Sequence, residues 1–339
     1  MPQLARHALS AVAVTGLLAA AAGIAAPAAA APAAAPPTTP CVVETLPGPA
    51  GLASEAWNTD PTGRFVIGST MRDTGHGTEY VVLRWDQGQL VTTLPLSFVG
   101  GAVDVNAHGV MVGDGQTDGS SRPWVYRNGT FIDLPKPANS KLTFVSAINR
   151  AGDIVGYAYH DGTYEASALL WPAARPGTVE KLRGVPADVL TQDITLDGTI
   201  VGFTRELETA PRTSWVRWPD GRSAPLTVPN GRWAQVVAAQ GRWAVGTVDT
   251  VDGDYFPVRW DLGTGGYIRL HPNALGATDI NSRGTALSGS LVIRGNTYRS
   301  LPAPAGAQTA AGRAIANDGS IVGFSNTNGW LSAVRWTGC

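Results

Sequence analysis

Seven copies of one sequence unit run from about Leu52 to Cys339, and this repetition constrains the fold more than any other feature of the chain. The unit consists of apolar–Asn–x–x–Gly–x–apolar–Val–Gly, a polar stretch, an apolar–Arg–Trp segment, a turn and a segment that ends in Leu-Pro. The clear copies are AVDVNAHGVMVG, VSAINRAGDIVG, TQDITLDGTIVG, ATDINSRGTALSG and GRAIANDGSIVG, and the looser copies are AWNTDPTGRFVIG and VVAAQGRWAVG. Repetition at such a period is typical of solenoids and propellers.

Each copy predicts four short strands. The Asn-x-x-Gly segment suits a type I turn, which favours Asn at its first position and Gly at its fourth. The second glycine marks a bulge or a close backbone approach in the next strand. No apolar stripe of helical period survives between the glycines and prolines. Four strands in about 43 residues indicate a blade of a β-propeller, with a solenoid as the competing interpretation.

The two ends of the repeat region favour the propeller. The last copy stops at AVRWTGC without its fourth strand, and CVVETLP at Cys41–Pro47 matches the fourth strands QLVTTLP and TFIDLP. We therefore predict an all-β, seven-bladed β-propeller whose last blade is completed by an N-terminal strand, which removes exposed sheet edges. Cys41 and Cys339 would form a disulfide at this seam, as two thiols in an exported protein are expected to pair.

The N-terminal segment indicates export. A short positive start at Arg6 and His7 is followed by an apolar stretch to about Ile24 and by Ala-Pro segments with several A-x-A cleavage options. We predict a signal peptide at residues 1–31, an Ala/Pro-rich spacer at 32–40 and a single propeller domain at 41–339. A membrane anchor is the alternative. After cleavage the protein is expected to be secreted, monomeric and without a membrane contact.

Charge narrows the choice of partners. The chain carries 25 Lys and Arg against 26 Asp and Glu, and no basic stripe is present. Nucleic acid is therefore excluded as a partner, and an extracellular glycan or protein is expected.

Two columns of the repeat should build the core and the inner wall. Aromatic residues of the third strands are expected between the blades, with one exception in the sixth copy, at Trp85, Tyr126, Trp171, Trp218, Trp260, Ile293 and Trp336. Apolar residues of the first strands should join them, at Trp57, Val105, Ile148, Ile194, Val237, Ile280 and Ile315.

The repeat resembles the HAF repeat of exported bacterial proteins. That unit has an AxxINxxGxxVGxS half and an AFLW half, which AINRAGDIVGYA with ALLW, and AIANDGSIVGFS with AVRW, match best. The resemblance covers about Leu52 to Cys339. It implies an extracellular repeat protein with a propeller fold, and it supplies no catalytic residues.

The sequence lacks the common catalytic motifs H-E-x-x-H, G-x-S-x-G and C-x-x-C. The most variable segments connect the second and third strands of each copy, and such loops on a rigid scaffold carry function. Aromatic side chains beside Asp and His can stack on a sugar ring and bind its hydroxyls. The candidate ligand-binding residues are Tyr157, Tyr159, His160, Asp161, Tyr164, Asp252, Asp254, Tyr255 and Trp330.

A second constellation lies in the first strands, five residues before the turn glycine. Asp104, Asp193 and Asp279 occupy this position in copies two, four and six, and Ala147, Val236 and Ala314 stand there in copies three, five and seven. In the first copy an insertion is taken to make Ala56 the equivalent residue. Three carboxylates around the channel could bind Ca²⁺ through oxygen ligands. Alternatively, each accepts backbone hydrogen bonds that fix a turn or a neighbouring blade. No other cofactor is predicted.

Two function classes remain open. A secreted binding or scaffold protein would recognise a glycan, a peptide or an envelope partner through the variable loops. An extracellular hydrolase or lyase would use carboxylates and His160 on the same face. The sequence favours the first and leaves enzymatic activity undecided.

Overall fold

Each repeat forms one antiparallel sheet of four strands, and the seven sheets are the blades of a β-propeller. The computed structural model describes residues 40–75, 77–163, 165–205 and 211–339. The predicted signal peptide and all but the last residue of the predicted spacer lie outside these residues. The repeat region belongs to one compact unit.

The strands have the following bounds: β1 Val42–Thr45, β2 Glu55–Thr59, β3 Phe65–Asp73, β4 Thr78–Asp86, β5 Gln89–Leu96, β6 Val99–Val105, β7 Met111–Thr117, β8 Ser120–Ser121, β9 Trp124–Arg127, β10 Thr130–Asp133, β11 Ser140–Ile148, β12 Ile154–His160, β13 Ala166–Trp171, β14 Glu180–Lys181, β15 Val189–Ile194, β16 Ile200–Thr204, β17 Ser214–Arg217, β18 Ser223–Leu226, β19 Gly231–Gln240, β20 Trp243–Thr250, β21 Tyr255–Asp261, β22 Tyr267–Arg269, β23 Asp279–Ile280, β24 Ala286–Ser288, β25 Leu291–Arg294, β26 Thr297–Ser300, β27 Thr309–Ile315, β28 Ile321–Thr327 and β29 Trp330–Thr337.

Strands a to d of a blade follow one another from the central channel outwards. Blade 1 is β2–β5, blade 2 is β6, β7, β9 and β10 with the short β8 beside β7, and blades 3 to 6 take β11–β26 in groups of four. Blade 7 is β27, β28, β29 and β1. The b–c loops and d–a links therefore lie on one face of the ring, the b–c face. The a–b and c–d turns lie on the other, the a–b face.

The N-terminal strand closes the ring, which confirms the predicted seam. β1 pairs antiparallel with β29, and Val43 lies opposite Trp336. A disulfide joins Cys41 to Cys339, whose Cα atoms are 4.4 Å apart. Backbone hydrogen bonds and a covalent bond therefore hold the same junction.

The glycine of strand b makes room for a tryptophan of strand c. A Cβ placed on Gly68 or Gly156 would come within 2.9 Å of the ring of Trp85 or Trp171, and within 2.0 Å of a carbonyl oxygen of strand a. No larger residue fits between these two neighbours. The repeated Val-Gly is thus a packing requirement between strands a and c.

The Leu-Pro endings connect neighbouring blades through the same tryptophans. The indole N–H groups of Trp85, Trp171 and Trp336 donate to the proline carbonyl oxygens of the preceding blades, Pro47, Pro135 and Pro302, at 2.6, 2.8 and 2.7 Å. Each of these bonds satisfies a buried indole and fixes the distance between two blades.

In blades 2 and 4 the predicted aromatic column was wrong. Tyr126 and Trp218 are only partly buried, and the fully buried rings are Trp124 and Trp215. These lie earlier on strand c and occupy the same space over the strand b glycines Gly113 and Gly202, at 2.4 and 2.5 Å from an added Cβ. A single ring packs over each strand b glycine. This ring can come from either of two positions on the same face of strand c.

Candidate functional site

The predicted ligand-binding residues of blade 3 form an aromatic group at the b–c face. The ring of Tyr157 lies 5.2 Å from Phe144 and 5.7 Å from Tyr159 between centroids. The guanidinium of Arg205 lies 5.7 Å from the Tyr159 ring and pairs with Asp188 at 2.8 Å. Burial raises the pKa of Tyr157, so this group is half embedded in the blade.

His160 and Asp161 end the same segment. The Nε2 atom of His160 lies 2.7 Å from Ser167 Oγ, and Ser167 is buried. The backbone N–H of Asp161 donates to Asn139 O at 3.0 Å. His160 and Asp161 therefore form these hydrogen bonds within blade 3.

The remaining candidates lie on two other blades. Tyr255 is 59% exposed and Trp330 is 49% exposed, and Asp254 lies 3.6 Å from Arg269. Asp252 lies in the same b–c loop of blade 5. Tyr157, Tyr255 and Trp330 line neither the central channel nor the cleft between blades 2 and 3. The structure thus places the candidates on one face, in three groups, and Tyr164 lies outside the described residues.

The b–c face is the more apolar of the two faces. Thirteen large apolar side chains of the described residues are exposed, and one of them, Leu196, lies on an a–b turn. Five lie on outer strands and Trp57 lies in the channel. The other six surround the b–c face: Met71, Val99, Val251, Tyr255, Leu275 and Trp330. Exposed apolar side chains gathered on one face mark interaction surfaces.

The central channel holds a cavity of about 240 Å³ lined by strand a of all seven blades. In six blades strand a carries a bulge just before the lining position. A bulge re-aims side chains and leaves a backbone group without its ladder partner. At the lining position one backbone N–H group per blade, seven in all and including the blade without a register shift, bonds to a side-chain acceptor inside the ring.

Three aspartates satisfy six of these N–H groups. Each carboxylate accepts one bond from the next residue of its own strand and one from the equivalent residue of the following blade. Asp104 binds Val105 N and Ile148 N, Asp193 binds Ile194 N and Ala239 N, and Asp279 binds Ile280 N and Ile315 N, all at 2.7–2.8 Å. The blades that follow carry alanine, because the preceding carboxylate already satisfies their N–H group.

Asn58 satisfies the seventh group. Its Oδ1 accepts from Thr59 N at 2.8 Å, and its Nδ2 donates to Asp104 Oδ1 at 3.0 Å. Each aspartate serves two neighbouring blades, so three aspartates serve six of the seven blades. The remaining blade needs a side chain that accepts only one backbone bond. An amide meets this need and donates to the neighbouring carboxylate.

The predicted inner columns were therefore wrong in two blades. Asn58 and Ala238, not Ala56 and Val236, are equivalent to Asp104 in the strand register. Likewise, Thr59 and Ala239 occupy the buried positions that were predicted for Trp57 and Val237. Trp57 and Val237 line the channel instead. The a–b connection at residues 60–65 is one residue longer than its equivalent at 106–110, and the one at 240–243 is one shorter. The extra residue follows Gly63, so Asn58 keeps the five-residue spacing of Asp104 to the turn glycine, and the prediction of Ala56 was wrong because it placed the extra residue before Gly63. The shorter connection in blade 5 leaves Ala238 only three residues before Gly241.

The channel carboxylates hold protons more tightly than exposed aspartates. Burial, and then the charge of Asp193, raises the pKa of Asp104 well above its ordinary value. Burial raises the pKa of Asp193 to about 6 and that of Asp279 to about 7. The two backbone bonds to each carboxylate act in the opposite direction and are outweighed.

The structure supports the structural role of these aspartates more directly than the calcium site. Both oxygens of each carboxylate already accept backbone bonds. Within the described ranges, no three His, Cys, Asp or Glu side chains are close enough to hold a metal ion together. The channel carboxylates are therefore explained by ring assembly alone.

Comparison with known proteins shows the fold and leaves the activity open. No family model and no curated protein matches the chain. Among solved structures, the chain is similar to the β-propeller domain of the Trilobed protease from Pyrococcus furiosus, with a TM-score of 0.60, 11% identity, and coverage of 85% of this chain and 96% of that one. It is also similar to a puromycin hydrolase S511A mutant complexed with PGG, with a TM-score of 0.54 and 13% identity, over 81% of this chain and half of that one.

No helix among the described residues has the length and apolar character of a membrane span.

Proposed function

We propose that this protein is a secreted β-propeller of the extracellular HAF-repeat family that binds a glycan, a peptide or an envelope partner through its b–c face. The observation that carries the proposal is the distribution of exposed apolar side chains, six of which surround that face. Tyr and Trp beside polar side chains supply stacking and hydrogen bonding together.

The chemistry of the ends supports export. The chain begins with a positively charged start and an Ala-rich apolar stretch, and the ring is closed by a disulfide between Cys41 and Cys339. Disulfides persist in oxidising compartments, which include the exterior of the cell.

A hydrolase or lyase is the second candidate, and His160 is the residue that would serve it. The Ser167 hydroxyl beside His160 is buried, so a substrate carbonyl could not reach this serine without movement of the blade. A nucleophile must be accessible to its substrate as well as close to a base. The burial of Ser167 therefore argues against a serine nucleophile beside His160, and the carboxylate mechanism is left to the turnover measurement below.

The test compares exposed aromatic side chains on two different surfaces. The double variant Tyr255→Ala/Trp330→Ala removes two from the b–c face, and Tyr267→Ala/Tyr298→Ala removes two from outer strands. Binding to glycan and peptide arrays should fall about tenfold or more in the first variant and stay unchanged in the second. Equal binding by both variants contradicts the assignment of the face.

Turnover is measured on the same arrays. Hydrolysis by the native protein that disappears in His160→Ala would establish the enzyme hypothesis instead of the binding one.

A further inference from the structure

At two interfaces between blades, an aromatic ring and an arginine together fill the space at the a–b face. We call such a pair a plug. Between blades 1 and 2, the Phe65 ring packs against Gly109, and Arg84 donates to Gly109 O at 2.7 Å. Between blades 5 and 6, the ring of Trp243 packs against Gly284, and Arg259 donates to Gly284 O at 2.7 Å. In both places the turn glycine of the following blade is covered.

The interface between blades 2 and 3 lacks this plug. The strand register makes Val110 equivalent to Phe65 and Val125 equivalent to Arg84. The turn glycine here is Gly152, and a Cβ built on it would meet only Ala173 of its own blade, at 3.5 Å. Two valines replace a large ring and a long cation, and a cleft of about 270 Å³ remains between the blades.

One long loop forms the outer wall of this cleft. The c–d connection of blade 3 spans residues 172–179, whereas blade 2 uses only 128–129. The backbone N–H of Ala173 donates to Asp153 Oδ1 at 2.9 Å, which fixes the start of the loop, and Arg175 N donates to Pro172 O at 3.0 Å. The loop therefore encloses the cleft in a defined conformation.

The cleft is apolar inside and positively charged at its rim. Its inner wall includes Val110, Val125, Ile132, Leu134 and Trp171. Arg127, Arg150 and His108 lie at the rim and are exposed. In the described part of the chain, neither Arg127 nor Arg150 forms an ion pair.

The acidic side chain at the rim does not neutralise these cations. Asp133 is paired with Arg122 at 2.8 Å, and the third arginine at the rim, Arg175, is paired with Glu180. A guanidinium offers several donors in a fork that matches a carboxylate. An apolar chamber with a few placed polar groups is the usual form of a small-molecule site.

We propose that this cleft binds a small carboxylate with an apolar body, an aryl or alkyl acid whose body enters between blades 2 and 3 and whose carboxylate meets Arg127 and Arg150. The site lies on the face opposite the proposed b–c binding surface and does not depend on it.

The test uses the plug of the interface between blades 1 and 2 as its variant. A panel of aryl and alkyl monocarboxylates, phenylpropionate among them, and the matching amides are titrated against the full chain by ligand-detected NMR. The acids should bind saturably, and the amides about tenfold more weakly because they lack the charge-assisted bonds.

Val110→Phe/Val125→Arg rebuilds the plug seen between blades 1 and 2 and should abolish binding. Val110→Phe alone serves if the double variant does not fold. Arg127→Gln/Arg150→Gln should weaken the acids to the level of the amides. The matched control Arg294→Gln/Arg283→Gln removes two rim arginines of blade 6 and should leave binding unchanged.

The proposal is overturned if no acid in the panel binds saturably. It is also overturned by native-like binding in the folded plug variant, equal affinity for acids and amides, or an equal loss in the blade 6 control.

Discussion

The central channel and the cleft between blades 2 and 3 are the two most informative cavities of this ring, and they differ in whether their polar groups have partners. In the channel, four side chains satisfy seven backbone N–H groups, with two bonds for each aspartate and one for Asn58. At the cleft, Arg127 and Arg150 have no carboxylate partner within the described residues. The comparison teaches that buried charge can be an assembly device, whereas a partnerless charge beside apolar space indicates a ligand.

The largest expected effect concerns pH and the channel. Since the folded-state pKa values of Asp193 and Asp279 are raised to about 6 and 7, the folded protein binds more protons than the unfolded chain between about pH 4 and 7. Stability should therefore be highest at the acid end of this window and fall as pH rises through it. The combined change across this window is on the order of 6 kcal/mol.

Denaturant unfolding at several pH values measures this slope, and Asp193→Ala should reduce it. A variant with the native slope would show that the channel carboxylates are not its source.

The second prediction concerns removal of the plug between blades 1 and 2. Phe65→Val should leave space between blades 1 and 2 like that beside Val110, and should cost about 2–3 kcal/mol of unfolding free energy. Val110→Ala is the control, since its side chain already borders a cavity, and should cost less than about 1 kcal/mol. Equal losses in chemical denaturation would mean that Phe65 is not a plug.

The third prediction removes one channel acceptor. Asp193→Ala leaves the N–H groups of Ile194 and Ala239 unpaired and at the same time relieves the burial of a charge. We expect a net loss of about 2 kcal/mol at pH 7. The exposed Asp252→Ala in the b–c loop should change stability by less than about 0.5 kcal/mol. A loss at position 193 as small as that at 252 would refute the bridging role.

The fourth prediction concerns the odd blade. Asn58→Asp replaces the donor to Asp104 with a like charge and should cost about 1 kcal/mol at pH 7. The loss should disappear near pH 5, where a shared proton can take the place of the amide donor. Asn58→Ala, which removes the acceptor for Thr59 N without adding charge, should lose stability at both pH values. Thermal unfolding at the two pH values distinguishes these outcomes.

The architecture was readable from the sequence because its determinants are local and repeated. The turn glycines, the strand b glycines and the split seventh blade each recur or complete a pattern, and the disulfide follows from the seam. The finer alignment was only partly readable. Asn58 keeps the spacing of Asp104 to the turn glycine and was missed because the extra residue of 60–65 was placed before Gly63, whereas it follows Gly63. The missing residue at 240–243 does move Ala238 out of the visible column.

The cleft left no motif at all. It lies where Val110 and Val125 stand in place of the Phe65 ring and Arg84, and this equivalence is visible only when the blades are aligned by strand register. The candidate ligand residues that the structure describes lie on the b–c face expected from the repeat, whereas their separation into three blades depends on ring geometry, which residue spacing does not give.

The smallest expected effect returns to the cleft. Filling an existing cavity adds apolar burial without new backbone strain, and the plug geometry already occurs twice in this ring. Val110→Phe should therefore raise the unfolding free energy by about 0.5–1 kcal/mol while it removes binding of small carboxylates. The expected gain in unfolding free energy distinguishes this result from misfolding, since a variant that loses binding through misfolding also loses stability. Chemical denaturation of native and variant proteins without ligand decides the point, and a destabilised Val110→Phe would show that the cleft walls cannot accept the ring that blade 1 carries at the same position.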